Sequence, residues 1–153
     1  MNALVESSAR IDVLLVEDNT GDARLTHEAF HQINEAVQLH IARDGVEAMA
    51  FLRREGELAR APRPDLILLD LNLPQMDGRE VLALIKKDDS LRMIPTIILT
   101  TSENEEDVVI SYQLQASCYL RKPAHWEEFD SIIRGINTFW MTRAKVPQKE
   151  TPG

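Results

Sequence analysis

Leu66-Ile67-Leu68-Leu69-Asp70-Leu71-Asn72-Leu73-Pro74 runs four large apolar residues straight into one carboxylate, which a polar, proline-marked turn then leaves behind. An apolar run this short and this continuous predicts a strand buried on both faces, as in a parallel sheet. A carboxylate at its mouth needs a reason. We therefore read Asp70 as the chemical centre of the protein.

Upstream, Ile11 to Val16 is a second run of this kind, stopping at the polar stretch Glu17-Asp18-Asn19-Thr20-Gly21-Asp22. From Asp22 the period changes, and Leu25, Ala29, Phe30 and Ile33 recur at helical spacing. Residues 37–42 alternate as a strand with one partly exposed face, and Asp44 with Glu47 forms a capping box for a helix carrying Val46, Met49, Ala50 and Leu52. Ala61-Pro62-Arg63-Pro64 then leads as a loop into the strand over 65–70. Downstream, Asp77 and Glu80 repeat the capping spacing ahead of the stripe Val81, Leu82, Leu84, Ile85. Strands over 95–101 and 117–121 and helices over 103–114 and 127 to about 141 complete the series. Strand and helix thus alternate without an internal repeat. The expected fold is α/β, a flavodoxin-like, doubly wound sheet of five parallel strands in the order 2-1-3-4-5 with helices on both faces.

Such a sheet binds ligands beyond the carboxyl ends of its strands, where strand order reverses. Glu17 and Asp18 follow the first strand, Asp70 ends the third, Thr100 and Thr101 end the fourth, and Lys122 follows the fifth. Three carboxylates brought together repel unless a cation intervenes, and an all-oxygen site suits a hard ion such as Mg2+. A lysine and a hydroxyl facing that ion make a site for a phosphoryl group. Strand alternation lets only one of Thr100 and Thr101 face it.

Glu17-Asp18-Asn19, Asp70 to Gly78, Leu99-Thr100-Thr101-Ser102 and Tyr119-Leu120-Arg121-Lys122-Pro123 resemble the receiver domain of two-component response regulators, over about residues 10–141. More narrowly, the stretch from Val16 to Phe30, the long second loop and the Phe139-Trp140 pair resemble stand-alone receivers that serve phytochrome-type sensor histidine kinases. The resemblance implies that Asp70 takes a phosphoryl group from a kinase phosphohistidine. It implies that Glu17, Asp18, Asp70 and the backbone carbonyl of Asn72 hold Mg2+, for which Mn2+ or Ca2+ substitutes, and that Lys122 and Thr100 contact the phosphoryl oxygens. Tyr119 becomes a rotamer switch that follows Thr100, and the Lys122–Pro123 bond is expected cis. The protein is then no enzyme in the ordinary sense, although slow self-catalysed phosphorylation and dephosphorylation are expected. Signalling would pass through partner binding or relay to a histidine phosphotransfer protein.

The rest of the chain bounds these readings. With 153 residues, 44% hydrophobic, the chain fits one domain: a mobile lead over 1–9, a receiver over 10–141 and a tail over 142–153. The net charge of -8 speaks against nucleic acid as a partner. Neither a signal peptide nor a membrane-spanning run is seen, so a cytoplasmic location is expected. Cys118 is the single cysteine and reads as a small buried strand residue. His27-Glu28-Ala29-Phe30-His31 matches the zinc-peptidase pattern and supplies the alternative function, although both histidines lie off the apolar stripe of their helix. Aromatic residues of the last helix, from Trp126 to Trp140, and the following tail suggest a homodimer contact. Gln115 stands where that family commonly ends the fourth helix with glycine, which demands a left-handed residue or another closure. Gly21 replaces a frequent proline at the first helix.

Overall fold

The computed structural model describes residues 10–141, so the lead over 1–9 and the tail over 142–153 lie outside the described residues. Five strands, β1 (Ile11–Val16), β2 (Val37–Ala42), β3 (Leu66–Leu69), β4 (Thr96–Thr100) and β5 (Cys118–Arg121), alternate with five helices. These are α1 (Thr20–Ile33), α2 (Gly45–Arg53), α3 (Gly78–Lys87), α4 (Glu105–Gln113) and α5 (Trp126–Ile136). All strand pairs are parallel, as the alternation predicts, and the order is the expected flavodoxin-like β2-β1-β3-β4-β5.

Strand pleating divides the core into two layers, because successive side chains point to opposite faces. Leu14, Val16, Ile67, Leu69 and Ile98 pack with Met49 and Leu52 of α2 and Val81, Leu82 and Ile85 of α3. Val13, Leu15, Leu66, Leu68, Ile97 and Leu99 face the other way, onto Phe30 of α1 and Phe129, Ile133 and Ile136 of α5. The period-3.6 stripes read from the sequence supply most of the buried helix faces, but Val46 of α2 is exposed, 54%, and Ala48 and Phe51 bury in its place. Helix α4 is different: its buried residues are Asp107 and Ser111, while Val109, Ile110 and Tyr112 are exposed. In place of an apolar stripe it has polar contacts, Asp107 accepting from Ser102 in the preceding loop and from Arg79 of α3.

Several boundaries move for local reasons. Helix α1 starts at Thr20 because the Asn19 side chain accepts from Asp22 N at 2.9 Å, and α4 starts at Glu105 because Asn104 caps it. Asp44 caps α2 by accepting from Glu47 N, whereas Asp77 accepts from Arg79 N and leaves Glu80 out of the cap. The regular α5 ends at Ile136 and passes into a single π turn over Asn137–Met141. Gln115 adopts the left-handed conformation, φ 69°, that glycine would have taken. The Lys122–Pro123 bond is trans, contrary to the expectation, since X–Pro favours trans by roughly 0.5–1 kcal/mol unless contacts reverse it. Cys118 is only half-buried, at the edge strand.

Two glycines set how closely α2 and α3 approach the turn after β3. A Cβ on Gly78 would lie 2.2 Å from the Asp70 carbonyl oxygen, and one on Gly45 would lie 2.1 Å from that of Met76. Backbone packs on backbone here, which only glycine allows.

Candidate functional site at the carboxyl ends of the strands

Register brings the acidic residues together. Val16 pairs with Leu69, so Glu17 and Asp70 emerge side by side from adjacent strands, and Asp70 N donates to Val16 O at 3.1 Å. Thr100 pairs with Arg121, which puts Lys122 one residue beyond β4 on the same rim. Carboxylate oxygens of Glu17, Asp18 and Asp70 lie within 4.8 Å of one another, Glu17 and Asp70 buried and Asp18 exposed. No other described residues form such a group of His, Cys, Asp or Glu. The donors are all oxygen and carry three negative charges when fully ionised, a set that fits a hard divalent cation.

Both oxygens of Asp70 are occupied. Oδ1 accepts from Thr100 Oγ1 at 2.7 Å and from Asn72 N at 3.1 Å, and Oδ2 accepts from Lys122 Nζ at 3.0 Å. Thr100 is fully buried and Thr101 exposed, which decides between the two hydroxyls. Lys122, itself buried, also donates to Glu17 Oε1 and, at 2.9 Å, to Asp22 Oδ2.

The cluster is short of positive charge. Burial pushes Glu17 up to about 7, the Asp70 charge adds to this, and Lys122 offsets only part of it. Burial alone would lower Lys122, but its bonds to Glu17 and Asp22 and the charge of Asp70 hold it above the usual lysine range. The lysine stays charged while one carboxylate keeps its proton toward neutrality.

A second polar chain leaves the rim toward α3. Tyr119 donates its hydroxyl to the Ser102 carbonyl at 3.0 Å, and the Ser102 hydroxyl donates to Asp107 Oδ2 at 2.6 Å. Arg79 Nε donates to Asp107 Oδ1 at 2.9 Å and Arg79 Nη1 to Asp77 Oδ1 at 3.0 Å. The serine and arginine bonds hold Asp107 below the usual carboxylate range.

The fold brings together Glu17, Asp18, Asp70, Thr100 and Lys122, all of them marked in the sequence. Asp22 was not marked as a partner of Lys122, although its position in the helix turn just after the acid pair was a usable signal. The Arg79–Asp107 pair, 28 residues apart in sequence, left no local signal. His27 and His31 stack at 6.1 Å on the exposed face of α1, away from the carboxylates, and the zinc-peptidase alternative has no support. Phe129 of α5 belongs to the core while Trp126 and Phe139 are exposed, 60% and 55%. No helix among the described residues is long and apolar enough to cross a membrane.

A profile of the response regulator receiver domain matches residues 13–134. Response regulator Rcp1 of Synechocystis sp. is 47% identical over 142 residues, 93% of this chain and 97% of that protein. The crystal structure of the phosphorylated cyanobacterial phytochrome response regulator RcpA superposes with a TM-score of 0.89 at 50% identity, covering 92% of this chain and all of that one (100%). The Mn2+-bound form of Rcp1 superposes with a TM-score of 0.87 at 47% identity, covering 90% of this chain and 99% of its own.

Proposed function

Because this chain belongs to the response regulator receiver domain family of two-component systems, we propose that Asp70 is its phosphoacceptor and that its donor is a sensor histidine kinase of the phytochrome type. The observation that carries the reading is the convergence of Thr100 and Lys122 on the two oxygens of Asp70 beside Glu17 and Asp18.

One carboxylate oxygen of Asp70 attacks the phosphorus of a phosphohistidine. The P–N bond breaks, its electron pair returns to the imidazole, and an aspartyl phosphate remains. Glu17, Asp18, the Asp70 carboxylate and the Asn72 carbonyl would hold Mg2+, with Mn2+ or Ca2+ as substitutes. When bound, the cation supplies charge for the phosphoryl oxygens. Lys122, charged and already aimed at Asp70, transfers hydrogen bonds to those oxygens. Thr100 turns its hydroxyl from Asp70 Oδ1 to a phosphoryl oxygen, and Tyr119 moves into the space that this frees. Slow self-catalysed phosphorylation and hydrolysis follow from the same groups. Output runs through partner binding, including a second copy of the chain through α5, the exposed Phe139 of the π turn after it and the C-terminal segment, or through relay to a histidine phosphotransfer protein.

Incubation with acetyl phosphate and Mg2+, read by intact mass, tests this. One phosphoryl group on the wild type and none on Asp70→Asn is expected; equal labelling of both overturns it.

A further inference from the structure

Lys122 has three ammonium hydrogens and no acceptor, and three carboxylates take them: Glu17, Asp70 and Asp22. The three partners are not equivalent. Glu17 and Asp70 belong to the group of oxygens that converge within 4.8 Å, and Asp22 does not. A cation gathered by that group draws on the two carboxylates that now hold the lysine, while Asp22 is left with no competing task.

The backbone that carries the Asp22 side chain is also held in place. The Asp22 N–H is bound by the Asn19 side chain at 2.9 Å, and its carbonyl accepts from Thr26 Oγ1 at 2.8 Å, within the first turn of α1. Its side chain is 29% exposed against 5% for Lys122, so it meets the buried ammonium from the solvent edge of the site. A buried ammonium that loses a partner is costly, so a fixed third carboxylate has value when the other two are withdrawn.

Building on the phosphoacceptor reading, we propose that Asp22 is the positioning residue for Lys122: a fixed anchor about which the ammonium turns from Glu17 and Asp70 to the phosphoryl oxygens. Asp22 touches neither the cation nor the reacting atoms. It acts through the lysine, by holding one N–H bond in both states, so that the other two are delivered at the right distance. Misplacement of such a group is felt in the rate.

The test measures the rate constant for labelling by acetyl phosphate, at saturating donor and Mg2+, in wild type, Asp22→Ala, Asp22→Asn and Asp70→Asn. Asp22→Ala is expected to be slower by about tenfold, and Asp22→Asn, whose amide oxygen still accepts from the ammonium, to stay within about threefold of wild type. The half-saturating Mg2+ concentration is expected to stay unchanged in both. Wild-type labelling by Asp22→Ala overturns the anchor, as does an Asn variant as slow as the Ala variant, or a loss of Mg2+ affinity in place of rate. A wild type that fails to label, or an Asp70→Asn that labels, would instead sink the phosphoacceptor reading itself. A measurement on the wild type alone is independent of any variant's folding. Through-hydrogen-bond coupling between Lys122 Nζ and the Asp22 carboxylate carbon is expected to persist when Mg2+ and beryllofluoride are added; its disappearance overturns the proposal.

Discussion

Thr100 Oγ1 donates to Asp70 Oδ1 across 2.7 Å, between residues only 0% and 7% exposed. The hydroxyl is thus committed to the carboxylate whose modification it would report. Thr100→Val keeps the shape and removes the donor, while Asn72 N and Lys122 continue to serve Asp70. A stability cost of about 1–2 kcal/mol is expected, by urea unfolding. With fluorotyrosine at position 119, phosphorylation is expected to shift the 19F signal of the wild type and leave that of Thr100→Val in place.

Glu17 governs how the site answers to pH. Its carboxyl moves from 4.5 to about 7 on folding, so between those values the metal-free folded chain holds a proton that the unfolded chain has lost. Its contribution to stability is therefore full below the lower value and is lost as pH rises through the upper one. A divalent cation displaces that proton. Apparent Mg2+ affinity is expected to weaken by up to about tenfold per pH unit below neutrality. Calorimetric titrations at two pH values, in buffers of different ionisation enthalpy, check both the slope and the proton released.

Arg79 and Asp107 tie α3 to α4, and Asp107 is what α4 buries where α3 and α5 bury aliphatic and aromatic side chains. A double-mutant cycle of Arg79→Ala with Asp107→Ala is expected to give a coupling energy of about 1–2 kcal/mol in chemical unfolding. Asp107 is held below the ordinary carboxylate value, so this contribution is present above that value and is lost as pH falls through the lowered one. Independent single-mutant effects would show that α4 is held elsewhere.

Backbone requirements give opposite signs at two positions. Gln115, at φ 69°, is expected to gain about 0.5–1 kcal/mol on change to glycine, because the left-handed strain relieved exceeds the added entropy of the unfolded chain. Gly78→Ala would force a Cβ to 2.2 Å from the Asp70 carbonyl and is expected to cost about 3 kcal/mol. Urea unfolding of the two variants measures both.

Much of this molecule is local in origin and so was legible. Apolar runs ending in acids, stripes of period 3.6 and the Asp44 cap depend on residues a few positions apart, and the strands and helices follow from them, whereas the sheet order came with the flavodoxin-like topology expected of such a chain. The trans Lys122–Pro123 bond and the Asp77 cap on Arg79 went against expectation because each alternative differs by about 1 kcal/mol, too little for pattern to decide. Helix α4 shows another limit: its acidic first turn marks where it begins, and nothing in that pattern says that Asp107 turns inward.

The amino-acid pattern places Glu17, Asp18, Asp70, Thr100 and Lys122 at the ends of strands, because strand ends are local, and a flavodoxin-like strand order then sets those ends on one rim. The tertiary structure alone decided who holds whom there. Thr100 rather than Thr101 reaches Asp70, Lys122 divides its hydrogens among three carboxylates with Asp22 as the third, and Arg79 finds Asp107. Hydrogen bonds act over about 3 Å, and which partners come within that reach is set by register and packing between elements that the chain separates.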